Sequence, residues 1–79
     1  MWWTYRITAA SQARLLMRVA QVFDQQLLRM TKLVLMDGDE VVEISVKVEA
    51  EEGLALRLQA KLYRLQDVRT VELSEVIAG

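Results

Sequence analysis

Apolar and polar residues alternate near the start of the chain. Trp3, Tyr5, Ile7 and Ala9 fall on one side, and Thr4, Arg6 and Thr8 on the other. A period of two with aromatic and β-branched residues predicts a half-buried strand. Ser11 follows, at a position where a side-chain oxygen can cap a helix. The spacing then changes. Leu15, Leu16, Val19, Val22 and Phe23 recur at helical intervals, with Arg14, Arg18 and Gln21 off that stripe.

The run Leu27 to Met36 is strand-like but irregular. Leu28 and Met30, then Leu33 and Leu35, are predicted to face inward. The parity slips between Met30 and Leu33, as one extra residue in a strand would make it do. Asp37-Gly38-Asp39 predicts a hairpin turn. The strand after it is the clearest in the chain, with Val42, Ile44, Val46 and Val48 on one face and Glu43, Ser45, Lys47 and Glu49 on the other. Ala50-Glu51-Glu52-Gly53 opens a second helix, its acids near the positive end of the dipole. Leu54, Leu58, Leu62 and Leu65 form its apolar stripe, and Leu56 and Tyr63 lie off it. Asp67 breaks the pattern before a short strand over Val68 to Leu73. The tail from Ser74 to Gly79 has no pattern that predicts an element.

The order is strand, helix, strand, strand, helix, strand. This predicts an α+β ferredoxin-like βαββαβ sandwich, a four-stranded antiparallel sheet with two helices on one face. At 79 residues the chain is expected to be one domain, 1–79. A chain of this size buries only about 60–65% of its unfolded surface. Yet 53% of its residues are hydrophobic, which leaves apolar surface for a subunit interface.

Charge and chemistry narrow the functional classes. Ten basic and eleven acidic residues give a formal charge of −1, without the basic excess a nucleic-acid binder uses to neutralise phosphates. Trp3 and Tyr5 share the face of Ile7 and are expected to point at the helices, so they offer no base-stacking platform. The absence of His and Cys removes the commonest general base, the thiol nucleophile and the thiolate metal site. Ser11, Ser45 and Ser74 have no base to activate them. The carboxylate pairs Asp37 with Asp39, Glu49 with Glu51 and Glu51 with Glu52 read as a solvated turn and a helix start, too few oxygens for Mg²⁺ or Ca²⁺. No phosphate-binding glycine pattern occurs. The expectation is a non-catalytic protein with no cofactor and no metal. No apolar run has membrane-spanning length and no signal segment is evident, so no membrane association is expected. A cytoplasmic setting fits the lack of cysteine.

Two stretches resemble a known family. Met17-Arg18-Val19-Ala20-Gln21-Val22-Phe23 is similar to the first helix of ACT domains of the acetohydroxyacid synthase (acetolactate synthase) regulatory small subunit, which typically runs Ala-Arg-Val-Ala-Gly-Leu-Phe. Lys61-Leu62-Tyr63-Arg64-Leu65-Gln66-Asp67-Val68 is similar to that family's Gln-Leu-Asn-Lys-Leu-Val-Asp-Val. The resemblance runs over residues 5 to 73. It implies a regulatory subunit that binds a large catalytic subunit in branched-chain amino-acid biosynthesis. The thiamine diphosphate and FAD would sit on that large subunit. It also implies allosteric control and a homodimer, formed through sheet edges or helix faces. Trp2, Trp3, Leu56 and Tyr63 are the interface candidates.

The family's effector loop, Asn then Pro-Gly before the first helix, corresponds here to Ser11, Gln12, Ala13, Arg14 and Leu15. Glycine there lets backbone N–H groups approach an amino-acid carboxylate. Arg14 in its place is expected to crowd the pocket, so a branched-chain amino acid is expected to bind weakly or not at all. Leu27 replaces the glycine after the first helix. The alternatives are a free-standing ACT amino-acid sensor and a ferredoxin-like interaction module with another client.

Overall fold

The computed structural model describes residues 1–11 and 14–77. The elements are β1 (Trp2–Ala10), α1 (Leu15–Asp24), β2 (Arg29–Asp37), β3 (Val41–Glu49), α2 (Glu52–Tyr63) and β4 (Val68–Glu75). All strand pairs are antiparallel, and the sheet order is β2-β3-β1-β4. The ferredoxin-like expectation holds, and β4 runs two residues further than its pattern suggested.

The alternating face of β1 is buried as predicted. Trp3, Tyr5, Ile7 and Ala9 pair in register with Val48, Val46, Ile44 and Val42 of β3. That surface packs against Leu15, Val19 and Phe23 of α1 and Ala55, Leu58 and Leu62 of α2. Tyr5 and Phe23 meet edge to face, with ring centroids 5.0 Å apart. Each buried donor in this core finds an acceptor. The Trp3 indole N–H donates to the Ala50 carbonyl at 2.9 Å, and the Tyr5 hydroxyl donates to the Ala55 carbonyl at 2.7 Å. Burial pushes the Tyr5 phenol up to about 12.

The irregularity in β2 is a bulge. The register against β3 shifts between Met30 and Lys32, where one extra residue is accommodated. The hairpin that follows turns over residues 38–40, and the Gly38 N–H bonds the Val41 carbonyl at 2.9 Å. A Cβ at Gly38 would stand 2.7 Å from that same oxygen, so this position tolerates only glycine.

Three expectations are corrected. Ser11 is not the cap of α1. The helix begins at Leu15, its N-cap is Arg14, and no side chain caps it. The Ser11 backbone N–H donates to the Glu40 backbone carbonyl at 3.0 Å, beside the β2–β3 turn. Leu33 and Leu35 do face the helix side, since they pair with Val46 and Ile44. They are not buried, however, and remain 38% and 40% exposed, because β2 is an edge strand that neither helix covers. Trp3, put forward as an interface residue, is 7% exposed and belongs to the core.

Candidate functional site

The segment between β1 and α1 is where an effector loop was expected. Gln12 and Ala13 lie outside the described residues. Ser11 and Arg14 are exposed, while Leu15, the first residue of α1, is buried in the core. Arg14 holds a left-handed backbone, φ 72°. Leu27, just after α1, is also left-handed, with φ 53°. At both positions the backbone has the conformation that glycine accepts without cost. Arg14 and Leu27 therefore hold strained backbone.

Arg14 opens onto a groove of about 870 Å³ between α1 and the start of β2. Met17, Arg18, Ala20 and Asp24 line its helix side, and Leu28 and Met30 its other wall. Two guanidinium groups thus stand at the N-terminal half of α1, and one carboxylate stands at its end. Sequence reasoning had Arg14 at a binding loop but missed the groove, because Leu28 and Met30 reach it only through the chain reversal after α1.

The remaining interface candidates do not converge. Trp2 lies on the solvent face of the sheet, with the Lys47 ammonium 5.6 Å and the Arg29 guanidinium 6.0 Å from its ring centre. Leu56 and Tyr63 are exposed on α2. The Tyr63 hydroxyl and the Gln59 amide both donate to the Val71 carbonyl, at 3.3 and 2.8 Å. The solvent face of the sheet also carries Thr4, Arg6, Thr8, Glu43 and Ser45, with Arg6 and Glu43 3.5 Å apart. Among the described residues, no group of three or more His, Cys, Asp or Glu side chains is gathered as metal ligands. No helix is long and apolar enough to cross a membrane.

No protein-family model matches the chain, and no curated protein sequence does. Solved structures do. The ACT domain of a GTP pyrophosphokinase from Chlorobium tepidum superposes with a TM-score of 0.81 at 20% identity, over 94% of this chain and 97% of that one. The C-terminal domain of the MgtC protein from Mycobacterium tuberculosis gives a TM-score of 0.74 at 15% identity, over 92% of this chain and 84% of that one. A homoserine dehydrogenase from Thiobacillus denitrificans gives 0.76 at 16% identity, over 91% of this chain but only 16% of the enzyme. At these identities the likeness is one of fold. The chain has the ACT-type ferredoxin-like fold.

Proposed function

We infer that this chain is a non-catalytic regulatory module of the ACT type, and specifically a small subunit that docks on and activates a large catalytic subunit of the acetolactate synthase type. The observation that carries the reading is the combination of an ACT-type fold over nearly the whole chain with two family-like stretches at its helices. Within those stretches, Val19 and Phe23 of the first and Leu62 of the second are core positions that any such fold needs. Asp67 is the more discriminating residue. It sits at φ 74°, where Asp is among the few residues other than glycine that enter readily, and its carbonyl accepts the Ala10 N–H at 2.9 Å. Regulation here means a difference in contact with two states of the partner, which shifts the partner toward its active one.

Mixing the purified chain with a large subunit tests this. Co-elution and a rise in acetolactate formation are expected, and the absence of both co-elution and a rate change would overturn the reading. Because the sequence has no His or Cys and pairs no nucleophile with a base, the chain alone is expected to turn nothing over.

A second reading, a free-standing amino-acid sensor, is favoured by Arg14 and Arg18, which line the groove and match a ligand carboxylate in charge. Calorimetric titration with valine and isoleucine separates the two. Weak or no binding fits the first reading, and tight binding fits the second.

A further inference from the structure

The bulge in β2 changes which side chains share a face. Residues three apart on a regular strand point to opposite sides of the sheet. Here Thr31 is the extra residue, so Arg29 pairs with Glu49 and Lys32 pairs with Lys47. Both partners lie on the solvent face of β3, and Arg29 and Lys32 therefore lie on that face together. Lys32 and Lys47 also stand directly opposite each other on the ladder. Like charges in that relation destabilise a sheet. Where a strand breaks such a rule with no gain to the fold, a function is the expected reason.

Trp2 gathers the cluster. The Lys47 ammonium and the Arg29 guanidinium both stand over its ring, and Arg29 reaches it from two strands away, across β3. A cation held over an aromatic face has given up part of its side-chain freedom before any ligand arrives. Neither cation is spent on an acid, since among the described residues the one ion pair joins Arg6 to Glu43. Glu49 is the carboxylate in this corner, opposite both Trp2 and Arg29 on the ladder. Three cations against one carboxylate leave a surplus of two positive charges. Thr4, paired with Lys47, adds a hydroxyl beside them.

We propose that this corner of the sheet binds the phosphate group of a small ligand, free phosphate or a phosphomonoester. At neutral pH a phosphomonoester carries about −1.5 to −2 charges and three acceptor oxygens. The surplus matches that charge, and Arg29, Lys32 and Lys47 offer a cationic donor to each oxygen. Trp2 is a positioning residue. It holds two of the donors in place, and its half-buried ring gives the organic part of a ligand an apolar wall. The chain's overall charge of −1 does not oppose this, because charges farther than about 8 Å away are largely screened at physiological salt. The corner lies on the face away from the helices, separate from the groove beside α1. It stands whether or not the chain docks on a catalytic subunit, and its test needs none.

Calorimetry and tryptophan fluorescence of the full chain test the proposal. The probes are inorganic phosphate, glycerol phosphate and phenyl phosphate, with succinate as a dianion that lacks phosphorus. The phosphates are expected to bind saturably, one per chain, and succinate more weakly. Tighter binding of the two esters assigns the site to a phosphomonoester, and equal affinities assign it to free phosphate. The emission change on binding is expected to vanish in Trp2→Phe, since Trp3 is buried in the core. Lys32→Gln and Lys47→Gln are each expected to weaken binding about threefold, within the range of one exposed charge pair. Glu49→Gln is expected to tighten it by a similar factor, and Arg57→Gln, on α2, to leave it unchanged. Trp2→Leu is expected to weaken binding, and Trp2→Phe, which keeps an aromatic face, to retain most of it. Lys32→Gln removes the like-charge pair and is expected to unfold in urea no earlier than the native chain, so its weaker binding is not a loss of fold. The absence of saturable phosphate binding overturns the proposal. So does succinate that binds as tightly as phosphate, or an affinity that neither lysine substitution changes.

Discussion

The Tyr5 hydroxyl crosses from the central strand to the second helix and donates its proton to the Ala55 carbonyl at 2.7 Å, from a side chain with no solvent exposure. This bond ties the sheet to α2 at the point where Phe23 of α1 also meets the Tyr5 ring. Tyr5→Phe keeps the ring and removes the bond. The expected loss is about 1 kcal/mol, the net worth of one buried hydrogen bond, read from urea unfolding.

The same residue sets the alkaline limit. The folded state holds the phenol neutral up to about 12, against 10.0 for an ordinary tyrosine. Between those values the unfolded chain releases a proton that the native chain keeps, so stability falls as pH rises. Below pH 10 the contribution is fully present, and it is lost as the pH passes through 12. Unfolding midpoints measured across this window are expected to fall in the native chain. Tyr5→Phe is expected to flatten that part of the profile.

Leu27 pays for its backbone and gains little from its side chain. It is left-handed at φ 53° and 92% exposed. Leu27→Gly relieves a strain of roughly 1–2 kcal/mol and gives back part of it as unfolded-state entropy. The expected net gain is about 0.5–1 kcal/mol, seen as a higher thermal midpoint.

Arg14→Gly acts twice. It relieves the left-handed backbone at φ 72° and clears one guanidinium from the mouth of the groove. The variant is expected to be at least as stable as the native chain. It is also expected to bind valine more tightly, since backbone N–H groups can then approach a carboxylate. Calorimetry on the pair of proteins measures both effects. Binding unchanged or weaker in the variant would mean that Arg14 does not crowd the site.

Gly38→Ala is expected to cost about 1–3 kcal/mol, the range for forcing an atom into filled space. Its Cβ would meet the Val41 carbonyl at 2.7 Å, and backbone cannot yield as a flexible side chain can. Urea unfolding gives the loss directly. A neutral substitution would mean that the turn has a second conformation.

How much was legible in the sequence depended on how local the cause was. The strand periods of β1 and β3, the bulge in β2 and the glycine turn are consequences of one residue's chemistry or of neighbours two apart. All were readable. The helix cap was misread because α1 begins only at Leu15, with Arg14 at its N-cap, too far along the chain for the Ser11 hydroxyl to cap it. The interface candidates were chosen as large apolar residues, a criterion blind to depth. Trp3 turned out to be core, while Leu33 and Leu35, read as inward positions, lay partly open.

The amino-acid sequence by itself determined the order of the six elements, the faces that Val42, Ile44, Val46 and Val48 bury, and the want of any His or Cys to do chemistry. Tertiary structure alone decided which strands became edges. Strand order arises from pairings between distant residues, and no local pattern encodes it. The central places went to β1 and β3, so the Val71 edge came under α2 and the Leu33–Leu35 edge was left bare. One edge receives side-chain bonds from a helix, and the other is covered by neither helix.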